Sequence, residues 1–282
     1  MRWPPYQHVF FDCDSTLSRI EGIDVLAQSA GKQWRIEVLT NAAMDGDLEL
    51  EAVYGKRLQA IRPTRAQVQL IHQAYKNAIV EDARAVLDAL RALGHEIYII
   101  SGGLAQPVVE FGRHLGVPAD HIRAVELHYN QLAGDWWRSD EAVNWQQPYL
   151  NYEEGALTIS DGKAEIVREL LGGRPGRSLL IGDGSSDLRA SREVNLFVGF
   201  GGVVARPAVK ASAPIFLSSP SLAPLLHLAA GPAACRRLKG SVHETVFAKG
   251  ANLIKSGALS FTNERLEEKF RTAYQTVYSG AN

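Results

Sequence analysis

The sequence is poor in cysteine: Cys13 and Cys235 are the two in 282 residues. So few thiols, so far apart, argue against a disulfide framework and for a reducing compartment. No run of about 18 apolar residues occurs, so no membrane-spanning helix is expected. No sign of charge dominates either. Lys and Arg total 30 against 31 Asp and Glu, a formal net charge of −1, which supplies no global field for nucleic acid or an acidic bilayer. Basic runs interleaved with aromatics are absent, as are internal repeats and low-complexity tracts. The opening MRWPPYQHVFF lacks the apolar region and cleavage site of a secretory signal, so a cytoplasmic location is expected. What remains is ordinary for a globular protein, at 46% hydrophobic and 22% charged. The length suits one large domain or two modest ones around a substantial core.

Residues 7–11, QHVFF, read as a short buried strand. A mostly helical region follows from about 18 to 93, punctuated by Gly31 and Pro63. Its last helix, 82–94, repeats Ala, Val and Leu at three- and four-residue spacing and closes at Gly94. HEIYII (95–100) is a second strand, 105–116 a helix, and 123–127 a third strand. A helix over 161–173 has Asp161 as a candidate cap. SLLI (178–181) is a strand, 185–194 a helix, and NLFVGF (195–200) a strand. This alternation predicts an α/β fold with a parallel sheet covered on both faces. The helical stretch after the first strand is too long for a simple crossover and reads as an inserted subdomain.

Three of these strands end in chemistry: VFF runs into Asp12, YII into Ser101, and LLI into Gly182 and Asp183. Ligands of open α/β sheets bind beyond the carboxyl ends of strands, so these residues are expected to converge. Asp12, Asp14, Asp183 and Asp187 would then crowd four carboxylates together, and like charges at close range repel. A hard divalent cation such as Mg²⁺ relieves that repulsion. Ser101, with the amides of Gly102 and Gly103, offers donors to an anion. Lys163, early in a helix, adds a compact positive charge. Such a set suits phosphoryl transfer. Taken singly, each segment has a plainer reading: paired acids as a turn, Ser101–Gly103 as a strand-to-helix bend, Lys163 as a solvated lysine.

The segment DCDST resembles the DxDx[TS] signature of the haloacid dehalogenase (HAD) superfamily. IISGG resembles its second motif, Lys163 in DGKAEIV its third, and IGDGSSD its fourth. All four fall in order over about residues 7–210. The resemblance implies a Rossmann-like doubly wound parallel sheet with an inserted helical cap of the C1 type. It implies an aspartyl-phosphate mechanism in which Asp12 attacks phosphorus and Asp14 moves the proton. Mg²⁺ would be held by Asp12, the Asp14 carbonyl and Asp183, with Asp187 in support. Ser101, Gly102 and Lys163 would hold the phosphate.

The stretches STLSRIEGIDVLAQSAG and NAAMDGDLELEAVYGKRLQAI further resemble the phosphoserine phosphatase subgroup. That likeness implies that Glu21 reads a substrate ammonium and Arg57 its carboxylate, a pairing suited to a zwitterion. Gly102 and Met44 would also contact substrate, and Leu50 would exclude water. Leu50, Leu104 and Ser186 depart from the subgroup's usual residues, which bears on substrate rather than reaction. A charged pair on a helical subdomain also has a plain reading as solvated surface.

These readings give a core of 1–17 and 81–228, a cap of 18–80, and a C-terminal helical extension of 229–282. Asn263 is a candidate cap for the last helix, and a helical hairpin docked on the body is expected, ahead of a dimer contact. The aromatic-rich segment 134–152 reads as a hairpin on the core, with a lid or binding surface as the sharper alternative. Cys13 should turn away from its acidic neighbours and pack. The expected activity is Mg²⁺-dependent hydrolysis of O-phospho-L-serine by a monomer or homodimer serving serine biosynthesis, acting on a small molecule, with no nucleic acid or membrane partner. A phosphatase or phosphotransferase for phosphohomoserine, phosphoethanolamine or an enol phosphate is the alternative, and a non-catalytic binding module the alternative class.

Overall fold

Four buried residues, His8–Phe11, form β1. With both faces covered the strand needs no polar alternation, and HVFF shows none. The computed structural model describes residues 3–45, 47–133 and 144–278. After β1 come four helices: α1 (Gly22–Ser29), α2 (Gln33–Asp45), α3 (Leu50–Ile61) and α4 (Arg65–Asn77). The chain reaches and leaves them through paired segments, with Ser18 bridged to Ile79. A capping box starts α4: the Gln67 amide donates to Thr64 Oγ1 at 3.3 Å, and the Thr64 amide to the Gln67 side chain at 2.8 Å.

The core resumes with α5 (Ala83–Ala92), β2 (Glu96–Leu104), α6 (Ala105–His114) and β3 (Ile122–Val125). A separate antiparallel pair follows, β4 (Leu127–Tyr129) with β5 (Tyr149–Tyr152). Next come α7 (Gly162–Leu171), β6 (Ser178–Gly182), α8 (Ser185–Ala190), β7 (Leu196–Phe200), α9 (Pro207–Ser212) and β8 (Ile215–Leu217). The remainder is α10 (Leu225–Ala229), α11 (Cys235–Leu238), α12 (Glu244–Lys255), β9 (Leu259–Phe261) and α13 (Glu264–Tyr278). No helix among the described residues is long and apolar enough to cross a membrane.

The main sheet has seven strands in the order β3-β2-β1-β6-β7-β8-β9. All pairs are parallel except β8 with β9. From β1 the chain builds outward first through β2 and β3, then on the other side through β6. The order therefore reverses between β1 and β6, and the crevice of such a fold opens at that switch.

Four local readings needed adjustment. β2 does not stop at Ile100 but runs through Ser101–Gly103 to Leu104, with its pairing to β3 irregular over that stretch. Two small flexible residues let the backbone bend without leaving the sheet. Asp161 precedes α7 but makes no side-chain cap, because its backbone is already helical at φ −95°, ψ −4°. The helix expected over 185–194 leaves α form after Ala190 and continues as one 3₁₀ turn, Ser191–Glu193. The tail carries its predicted helices and the Asn263 cap, whose Oδ1 accepts from the Leu266 amide at 3.0 Å. It also inserts β9 beside β8, pairing Leu217 with Leu259. Three residues are too few to show a strand's period of two.

Of the aromatic-rich segment, 134–143 lies outside the described residues. Its flanks form the β4–β5 pair and touch the start of α4: the Arg65 and Ala66 amides donate to the Gln147 and Trp145 carbonyls, each at 2.9 Å.

Candidate active site

β1 ends at Phe11, and the Asp12 amide still donates to Ile181 of β6 at 3.0 Å. The next residues wrap around the Cys13 carbonyl, which accepts from the amides of Thr16, Leu17 and Ser18. Ser15 takes a left-handed φ of 52° to make that turn. Asp12 and Asp14 thus face the site while Cys13 is fully buried in the core. Burial, then the charges of Asp14 and Asp12, push its thiol well up, which keeps it unreactive and in the packing role.

The structure brings the sequence-predicted residues together. Lys163 Nζ donates to Asp12 Oδ1 at 2.5 Å and to Asp187 Oδ1 at 2.7 Å. Burial disfavours the Lys163 ammonium, but the two carboxylates outweigh it and hold it charged. Asp12 is nonetheless pushed well up, first by burial and then by Asp187, against the pull of Lys163. Asp187 also accepts from the Gly184 amide at 3.1 Å. Asp183 accepts from Thr16 Oγ1 at 3.3 Å and from Arg206 Nε at 3.0 Å. Burial and the charge of Glu21 push Asp183 up to about 7 despite Arg206.

Asp14 is turned differently. Its Oδ1 accepts from the Tyr75 hydroxyl at 2.7 Å and the Gly22 amide at 2.8 Å. Its Oδ2 lies 3.5 Å from Ser101 Oγ. Burial, then Glu21, push it up to about 7. The Gly103 amide is not free for a ligand, since it donates to Ser101 Oγ at 2.9 Å. The Gly102 carbonyl accepts from Tyr54 of α3 at 2.9 Å.

Oxygen atoms of Asp12, Asp183 and Asp187 lie within 4.8 Å of one another, all buried. Asp12 Oδ2 is buried with no partner. With Asp14, four acids face two buried cations, Lys163 and Arg206. A buried carboxylate oxygen without a donor is costly, and a hard divalent cation is the group this donor set fits.

Above the acids the helical subdomain closes a cavity of about 70 Å³, lined by Glu21, Arg57, Leu50, Gly102, Leu104 and Ser186 among others. Glu21 accepts from Ser15 Oγ at 2.7 Å. Arg57 is 6% exposed and donates from Nη1 to Thr40 at 3.1 Å, while Thr40 reaches Asp24 at 3.4 Å. Arg57 Nε is buried and has no partner. The two charges line one cavity, each held by a hydroxyl rather than by the other. The Met44 side chain lies outside the described residues.

Sequence reasoning missed Arg206, Tyr75, Thr40 and Tyr54. Arg206 was within reach, because GFGGVVAR leaves the carboxyl end of β7, where the same strand-end rule applies. Tyr75 sits on the apolar stripe of α4 with Val68 and Ile71 and reads as core. Nothing local marks its bond to a residue 61 positions away.

The haloacid dehalogenase-like hydrolase family model matches residues 9–192. Among curated proteins, the phosphoserine phosphatase of Drosophila melanogaster is 33% identical over 205 residues, covering 72% of this chain and 71% of that protein. The human phosphoserine phosphatase is 30% identical over 211 residues, covering 74% and 88%. A solved structure of a phospho-aspartyl intermediate analogue of phosphoserine phosphatase superposes with a TM-score of 0.66 at 23% identity. It covers 79% of this chain and 98% of that one, a likeness of fold.

Proposed function

The chain belongs to the haloacid dehalogenase-like hydrolases and is a phosphoric monoester hydrolase, and from that premise we propose that it hydrolyses O-phospho-L-serine to L-serine and phosphate. The observation that carries the substrate is Arg57: a buried guanidinium with an unpartnered Nε, lining the same cavity as Glu21. Buried donors are rarely left unmade, and a carboxylate is the partner this fork fits. Glu21 takes the ammonium of the same zwitterion. Leu50 supplies apolar cover, and Met44 is assigned to that cover from the sequence.

Asp12 attacks phosphorus through a carboxylate oxygen, with Lys163 bonded to its Oδ1. A bond forms from Asp12 to phosphorus as the bond to the serine oxygen breaks. The departing oxygen takes its proton from Asp14, and the aspartyl-phosphate splits the reaction into two easier steps. Asp14 then takes a proton from the water that displaces Asp12. Ser101, Gly102 and Lys163 hold the phosphoryl oxygens, and Asp187 fixes Lys163. Asp12, the Asp14 carbonyl and Asp183 would hold Mg²⁺, which would supply neutralisation of phosphoryl charge. The product suits serine biosynthesis.

Replacing Arg57 by Ala tests the substrate. Charge-assisted hydrogen bonds contribute about 1.5–3 kcal/mol each, so KM for phosphoserine should rise at least about 100-fold. KM for phosphoethanolamine, which has no carboxylate, should barely move. An unchanged KM for phosphoserine would sink the assignment.

A further inference from the structure

Tyr75 is a fully buried tyrosine on α4 whose hydroxyl leaves the apolar stripe around it and reaches Asp14. It shares Asp14 Oδ1 with the Gly22 amide, at 2.7 and 2.8 Å respectively. A Cβ on Gly22 would stand 2.3 Å from the Tyr75 hydroxyl, so the phenol reaches the acid because residue 22 is glycine. Packing holds the ring: its centroid is 5.3 Å from that of Phe111. The other oxygen, Oδ2, faces Ser101 Oγ and lies 2.8 Å from where a Cβ on Gly103 would stand. The two oxygens of this carboxyl are therefore unequal. Two donors fill the lone pairs of Oδ1, and a carboxyl proton cannot share an oxygen already receiving them. Oδ2 is left to carry it, on the side of Ser101 and Gly103.

We infer that Tyr75 is a positioning residue that assigns Asp14 Oδ1 to anchoring and Oδ2 to proton transfer. The inference rests on the reading of Asp14 as the proton donor. As the phosphorus–oxygen bond to the leaving alcohol breaks, the alcohol oxygen keeps the electron pair and takes the proton from Oδ2. The carboxylate left behind keeps its two donors, and Tyr75 retains its own proton throughout.

A leaving group that needs no proton should be indifferent to this aim. The test is kcat/KM of the Tyr75→Phe enzyme with Mg²⁺ on two substrates, O-phospho-L-serine and acetyl phosphate, whose acetate departs unprotonated. This parameter covers steps up to departure of the leaving group, so later hydrolysis of the aspartyl-phosphate does not enter. The ratio of the two values from one preparation is independent of the folded fraction. General acid catalysis contributes about 10²–10⁴-fold, and loss of aim should forfeit roughly tenfold or more of it. We expect phosphoserine turnover to fall by that factor and acetyl phosphate turnover to stay within about twofold. Equal losses on both substrates, or no loss on either, overturn the inference. Asp14→Asn is the control and should show the same asymmetry, more strongly. If it does while Tyr75→Phe does not, the inference alone fails. If Asp14→Asn slows both substrates alike, the acid assignment fails and the role of Tyr75 with it.

Discussion

Asp12 and Asp14 are separated by one residue yet live in different surroundings. Asp12 shares Lys163 and keeps one oxygen bare, whereas Asp14 is anchored by a phenol and an amide. That difference is the basis for giving one the attack and the other the proton. Asp12→Asn keeps the size and removes the nucleophile, so phosphate release should fall by at least about a thousandfold in a steady-state assay. Thr40 is the other informative residue. It accepts from Arg57 and bonds Asp24, which burial and Glu21 push up to about 6. Thr40→Val should raise KM for phosphoserine about tenfold with kcat nearly kept, since one charge-assisted bond is lost. At this scale the strand-end acids and Ser101 were legible because topology alone brings strand ends together, and Lys163 through its motif at the start of a helix. Tyr75 and Thr40 were not, because a tyrosine on an apolar stripe and a threonine within a helix look like packing until their partners are known.

Among elements, the helical subdomain meets the core both along α4 and α6, where Gln69 donates to Glu110 at 2.5 Å, and around the junction of α2 and α3. Asp45 meets Arg206 at 2.8 Å, Glu49 meets Arg189 at 3.1 Å, and the Glu51 carboxylate accepts from the Ser160 amide at 3.0 Å. Arg206 is 3% exposed and Arg189 far more open. Asp45 is itself 43% exposed, so its pair is shielded on the Arg206 side alone, whereas both members of the Glu49–Arg189 pair are open to solvent. Asp45→Asn should therefore raise KM several-fold, with Glu49→Gln within about twofold of the parent, as read from steady-state kinetics. The tail shows a second kind of contact. Phe270 of α13 is buried, with its ring centroid 5.0 Å from that of Trp3 and 5.8 Å from that of Phe261. Phe270→Ala should cost about 3–5 kcal/mol in urea unfolding. The helices of the tail and the Asn263 cap were readable from pattern. Its insertion into the sheet was not, because β9 takes its partner from β8 and too little of its own sequence says strand.

Across the whole molecule, one buried histidine links stability to pH. His227 packs against Phe247 with centroids 4.0 Å apart, and its Nε2 meets the Tyr278 hydroxyl at 2.9 Å. Burial pushes its pKa from 6.5 down to about 3. Between those values the unfolded chain binds the extra proton and the folded chain does not. The stabilisation is therefore complete above about pH 6.5 and is lost as pH falls toward 3, by about 1.4 kcal/mol per unit. His227→Leu should remove roughly 2 kcal/mol of the parent's stability difference between pH 6.5 and pH 5 in chemical denaturation.

The alternating strands and helices made the α/β architecture legible at this scale, since VFF, YII, LLI and LFV in β1, β2, β6 and β7 are short apolar runs. The way the subdomain closes over the site lay beyond pattern, being fixed by pairs far apart in sequence such as Asp45 with Arg206. The proposed substrate joins both levels, since its phosphate, ammonium and carboxylate would all have to be read in one cavity. The most direct test is kcat/KM with Mg²⁺ for O-phospho-L-serine beside phosphoethanolamine, which keeps the phosphate and ammonium but lacks the carboxylate. The account predicts at least about a hundredfold preference for phosphoserine. Equal values, or a preference for phosphoethanolamine, would contradict it.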